Sequence, residues 1–175
     1  FELRSGVRFS DGTPFTAADV CKTMQKALDP ALETTVFDTF QVKNSDFSCH
    51  VESNTSLWMR FPKAIAAVER LMDGVPILSW QSPKQETAVL GPFMVAERKA
   101  GASITLARNP HYWKTDKNGV KLPYLDSILL EIQRNRDFEL RRFRSGELDL
   151  VNNLNAELFE RLKSETPSAV RDLGV

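Results

Sequence analysis

Apolar and polar positions change period several times along the chain, and each change predicts an element. Phe1 and Leu3, then Val7 and Phe9 after Gly6, alternate as a strand over residues 1–9. Ser10-Asp11-Gly12-Thr13-Pro14 is a dense run of turn formers. Thr16 follows as a helix N-cap, with Asp19 three positions on as a short capping box. Val20, Met24, Ala27 and Leu28 then form the i, i+4, i+7, i+8 stripe of a half-buried helix, predicted over about 17–29 and closed by Pro30.

From 31 to 46 the periodicity fades, leaving Phe37 and Phe40 isolated in polar company. Residues 47–52 and 56–61 read as a strand pair joined around Ser53-Asn54. A helix is predicted over 63–72, ended by Asp73-Gly74, then a short strand over 75–78. Residues 79–87, polar and carrying Pro83, make the best linker. Gly91-Pro92 restarts the pattern with a hairpin, strands 93–98 and 103–108 about Lys99-Ala100-Gly101. A polar loop over 114–123 precedes a strand over 125–132, a helix over 137–145 and a short strand over 148–151. Asn155 caps a last helix over 156–164. Strands and helices mix without regular alternation in the first half, so the fold expected is mixed α/β with a sheet of mixed direction.

Composition narrows the function without naming it. The 175 residues carry 23 Lys+Arg and 23 Asp+Glu. Neither side of residue 87 is polarised, with 9 basic and 11 acidic residues before it and 14 and 12 after. That balance argues against nucleic acid or an anionic membrane as partner. No apolar run approaches the roughly 20 residues of a membrane span. The chain opens on Phe1-Glu2-Leu3-Arg4 inside a strand pattern, without Met, and reads as a piece of a longer protein whose targeting segment is not seen.

Nothing in the sequence looks like catalysis. His50 and His111 are far apart and have no helical i, i+4 partner, so no metal site is expected. Cys49 and His50, adjacent on a strand, point to opposite faces and do not share a metal. There is no G-x-S-x-G elbow and no phosphate loop, so catalytic residues and cofactors are both expected to be none. Cys21 and Cys49 are expected as two separate buried thiols, a disulfide being the alternative. Glu147/Asp149 read as a solvated edge in preference to a cleft pair, and Tyr112-Trp113 as a staple in preference to a ligand wall. Phe37 and Phe40, in the least regular segment of the first half, are the ligand-binding candidates. Asn152-Asn153 either bind a peptide backbone or end a strand.

Four segments in order carry a resemblance: LRSGVRFSDGTPFTAADV, GPFMVAERKAGASITLARNPHYW, LPYLDSILLEI with FRSGELDL, and NNLNAELFERLKSETP. Together they resemble the extracellular solute-binding proteins of peptide-type ABC importers, the last segment being closest to oligopeptide-binding members. Val89-Leu90 depart from the Gly-Thr of many members, and 31–46 does not match beyond Asp29-Pro30. The resemblance implies a periplasmic-binding-protein-like (class II) fold, here with one large lobe incomplete. Residues 1–80 would belong to an accessory lobe and 81–175 to the first main lobe, the second main lobe being absent. It implies no enzyme but a periplasmic or extracellular bacterial protein. Its partners would be a peptide ligand and ABC permease subunits, with no nucleic acid, and with the membrane reached only through the permease or a lipid anchor. Two other readings are a sensor domain of the same fold and a permease-docking module without its own solute.

Overall fold

The computed structural model describes residues 1–85, 87–133, 135–151 and 154–165. Helices and strands mix as expected: α1 (Ala17–Ala27), α2 (Thr35–Phe40), β1 (Ser48–Val51), β2 (Leu57–Arg60), α3 (Val68–Met72), β3 (Phe93–Lys99), β4 (Ser103–Arg108), β5 (Ser127–Glu131), α4 (Arg136–Arg144) and α5 (Ala156–Glu165). Two compact units divide the chain, Phe1–Leu130 and Glu131–Val175.

In the first unit α1 forms where its cap predicts. Asp19 Oδ2 accepts from the Thr16 amide at 2.9 Å and from the Thr16 hydroxyl at 2.8 Å, holding the helix start. The apolar stripe splits between two clusters: Met24 and Leu28 pack with Phe40, Phe47 and Val75, while Ala17, Val20 and Cys21 pack with Leu57. β1 and β2 pair antiparallel, Cys49 facing Met59 and His50 facing Trp58. As the strand period requires, His50 stacks on the exposed Trp58 while Cys49 turns to the core.

Several expectations are corrected. Residues 1–9 form isolated bridges rather than a strand: Glu2 pairs with Ser56 and Arg8 with Pro14, either side of Gly6 at φ 74°. Residues 31–46 fold into α2 flanked by single 3-10 turns, Pro30–Leu32 and Asn44–Asp46. Val36 and Phe40, four apart, bury one face of that short helix, whose signal is too brief for a periodicity to register. The helix expected over 63–72 is only α3, whose start is set by Ala67 in a left-handed conformation.

Residues 75–78 make no strand: the Val75 amide donates to Met72 O, and α1 holds the segment's end at Leu78 and Trp80. Thr23 Oγ1 accepts from the Leu78 amide at 3.0 Å and from Trp80 Nε1 at 3.2 Å, and Asp19 Oδ1 accepts from the Trp80 amide at 2.9 Å. The linker expected at 79–87 is correspondingly packed at its start, with Ser79 and Ser82 both buried. Cys21 and Cys49 form a disulfide at a Cα–Cα distance of 5.5 Å. The packing of α1 on β1 brings together thiols 28 residues apart, which no local signal announces.

β3 and β4 form the expected hairpin, with a bulge between Val95 and Glu97, and β5 joins beside β4 to give the order β3-β4-β5. The second unit contains α4, capped by Asn135 on the Phe138 amide at 3.0 Å, and α5, capped by Asn155 on the Leu158 amide at 2.8 Å. Leu148–Val151 is not a strand, and Leu150 is 79% exposed.

Candidate functional site

Phe37 and Phe40 lie one turn apart on α2, yet the structure gives them different surroundings. Thr34 caps the helix by accepting from the Phe37 amide at 3.1 Å, and Phe37 is left half-buried. Phe40 is 3% exposed and stacks on Phe61 at 5.7 Å between ring centroids, so most of its ring is core. One edge of it reaches a hollow of about 200 Å³ between α2 and α3, shared with Thr35, Thr39, Arg70 and Gly74. Phe37 does not line that hollow.

A second, larger hollow of about 470 Å³ lies over the outer face of α1 and was not signalled by the sequence. Lys22, Gln25 and Lys26 border it with Asn44, Ser45 and Trp80. The ammonium groups of Lys22 and Lys26 lie 6.0 Å and 5.5 Å from the Trp80 ring centroid. The indole edge is fixed by its bond to Thr23, so the aromatic face is a rigid floor under two cations.

The aromatic and polar residues after β4 have structural roles. Asn109 is 2% exposed; its side-chain amide donates to Gly91 O at 2.8 Å and to Val89 O at 3.4 Å, while its Oδ1 accepts from the His111 amide at 2.9 Å. One side chain thus ties Val89–Gly91 to the end of the hairpin. Trp113 is partly covered by the Arg4 guanidinium at 4.2 Å, and Tyr112 packs on Trp113 at 6.0 Å. The polar loop after them is organised by Asp116. The Tyr124 hydroxyl and the amides of Val120 and Asn118 donate to its carboxylate, holding its pKa below the usual 3.8.

The Glu147 carboxylate is engaged by Arg142 Nε at 3.0 Å and by the Ser145 hydroxyl at 2.9 Å, which hold its pKa below the ordinary 4.5. It is an ion-pair partner rather than half of an acid–base pair. Among the described residues no group of three or more His, Cys, Asp or Glu is placed to hold a metal, and no helix is long and apolar enough to cross a membrane. Asn152 and Asn153 lie outside the described residues.

The relatives agree with the motifs. The periplasmic oligopeptide-binding protein OppA of Salmonella typhimurium is 26% identical over 98% of this chain and 35% of its own length. The oligopeptide-binding protein OppA of Bacillus subtilis is 28% identical over 85% of this chain and 31% of its own. The chain therefore spans about a third of the length of these relatives. Among solved structures, AppA from Clostridium difficile superposes with a TM-score of 0.79 at 23% identity, covering 94% of this chain and 35% of that one. Haemophilus influenzae OppA, in complex with RPPGFSPFR, does so with a TM-score of 0.73 at 22% identity, over 94% and 36%. Those two likenesses establish the fold. The model of the bacterial extracellular solute-binding proteins, family 5, matches residues 1–171, and the chain belongs to that family.

Proposed function

We propose that this chain is part of the substrate-binding component of an ABC importer, which captures oligopeptides outside the inner membrane and delivers them to a permease. The observation that carries the reading is the match of the family model across residues 1–171, joined to relatives named as oligopeptide-binding proteins. In this reading residues 1–80 belong to an accessory lobe and 81–175 to the first main lobe. The second main lobe lies outside these residues, and ligand capture is a hinge closure driven by contacts available only in the closed form. Phe37, with its half-exposed ring, and Phe40, through the hollow it borders, are the ligand-facing candidates of the accessory lobe.

The test is calorimetric titration of a mixture of short peptides into the full-length parent and into residues 1–175. The parent is expected to bind and the shorter chain to bind at least a hundredfold more weakly. Losing three backbone hydrogen bonds at about 1 kcal/mol each is sufficient for that difference. A parent that binds no peptide overturns the reading. Micromolar binding by residues 1–175 overturns the assignment of the second lobe.

A further inference from the structure

Two lysines of α1 stand over one indole. Lys22 and Lys26, four residues apart on the helix, bring their ammonium groups to 6.0 Å and 5.5 Å from the Trp80 ring centroid. Positions i and i+4 are neighbours on a helix surface, where like charges repel. The indole is held under them, because its Nε1 donates to Thr23 and the Trp80 amide donates to Asp19. The facing rim is also tied down, by the bond from the Asn44 amide to Leu28 O at 3.0 Å. All the residues lining this hollow, from Lys22 to Trp80, lie inside the first compact unit.

The two charges are left without a counter-ion. Among the described residues neither Lys22 nor Lys26 makes an ion pair. Phe138, within the second unit, is also approached by two cations, but there Arg142 is paired with Glu131 and Glu147. The side-chain amides of Gln25 and Asn44, on the same hollow as the lysines, form no hydrogen bond among the described residues. The Ser45 hydroxyl is taken, donating to Asp46 at 3.2 Å. At about 470 Å³ the hollow has the size of a site for an organic ligand and exceeds what one small anion fills.

We infer that this hollow is a docking site for an acidic segment of a partner protein, whose carboxylates pair with Lys22 and Lys26 while Gln25 and Asn44 bond its backbone. Each part of the hollow matches a part of such a segment. The ammonium groups are compact charges that suit carboxylates. The two carboxamides offer both donors and acceptors to peptide groups. The indole floor packs against the methylene stems of glutamate. Charge complementarity of this kind selects the partner and steers its approach. Oligopeptide capture is not needed for this docking, since none of these residues borders the hollow at α2.

The experiment titrates the full-length parent with tetraglutamate, acetylated and amidated to mimic a segment inside a longer chain, and follows the Trp80 indole resonance by NMR. A saturable shift is expected, weakening as salt is added and absent with capped tetraglutamine. Lys22→Gln and Lys26→Gln together, at two exposed positions, are expected to weaken binding by at least about tenfold without lowering Tm. No shift, or equal affinity in the double variant, overturns the inference. Inorganic phosphate binding as tightly as the capped peptide overturns it in favour of a small-anion site. Uncapped tetraglutamate binding at least about tenfold more tightly than the capped form overturns it in favour of a free peptide. Phosphatidylglycerol vesicles that bind the parent but not the double variant, with no shift from the peptide, overturn it in favour of a lipid surface. A parent that binds capped tetraglutamate here and no other peptide upholds the docking site while overturning oligopeptide capture.

Discussion

The stretch from Val7 to Ala88 and the β3-β4-β5 sheet as far as Leu130 belong to one compact unit, yet they are stabilised in opposite ways. Among the described residues, every fully buried apolar side chain except Leu140 and Leu162 falls between Val7 and Ala88. That stretch also holds the disulfide and the buried polar side chains Asp19, Thr23 and Ser79. The sheet has none of its apolar side chains fully buried, while Val95, Leu129 and Leu130 are exposed. Its order comes from ladder bonds and from Asn109 and Arg108 at its margin. The Arg108 side chain binds Leu125 O at 3.2 Å, Tyr124 O at 2.9 Å and the Asp126 carboxylate at 2.7 Å. A region can thus have a defined backbone while leaving its hydrophobic surface for something else to bury.

The largest effect is expected at the Cys21–Cys49 disulfide. Replacing Cys21 and Cys49 together by Ala is expected to cost about 3 kcal/mol, by loosening the unfolded chain's constraint over this separation. Urea midpoints of the oxidised protein and of the double variant measure it. Equal midpoints would show that the two cores hold α1 on β1 without the bond.

Asp19 is next. It accepts from the Thr16 amide and hydroxyl and from the Trp80 amide, and its side chain is sealed from water. Asp19→Ala strips the Trp80 amide of its acceptor and removes the cap, with an expected cost of about 2–3 kcal/mol. Thr16→Ala removes only one donor to that carboxylate and is expected to cost about 1 kcal/mol. An Asp19→Ala loss no greater than that of Thr16→Ala would mean the 78–80 segment does not depend on α1.

In the sheet, Asn109→Ala is expected to cost about 1–2 kcal/mol, since Gly91 O loses its donor and the His111 amide its acceptor. Faster amide exchange confined to residues near 89–93 and 108–112, with α1 unchanged, would sharpen the contrast. An equal loss of protection in α1 would erase it.

The smallest effect is in the Asp116 turn. Its carboxylate has a folded pKa below the unfolded 3.8, so the bonds from Tyr124, Val120 and Asn118 contribute stability above that value. The contribution disappears as pH falls through the lowered pKa. The same bond raises the Tyr124 hydroxyl above its ordinary 10.0. NMR titration below pH 3.8 should therefore show the 116–124 resonances shifting together. An Asp116 midpoint at or above 3.8 would contradict the hydrogen bonding assigned to it.

Elements written in adjacent residues were legible in the sequence alone. The Thr16–Asp19 box, the turn at Lys99-Ala100-Gly101 and the caps at Asn155 and Thr16 involve groups within a few positions of each other, and propensity acts at that range. The ordered family motifs were legible for the same reason, since each is one or two short contiguous segments of sequence. What tertiary structure decided involves partners far apart in the chain. Thr23 and Asp19 take backbone donors 55 and 61 residues away, turning an apolar run that reads as a strand into a segment pinned across a helix. The same docking of α1 closes Cys21 on Cys49, and the packing of α2 onto Phe61 buries most of the Phe40 ring. In each case the sequence supplied side chains able to bond or bury. Which partner they met was settled by packing, because a buried donor or ring must be satisfied by whatever the fold brings to it.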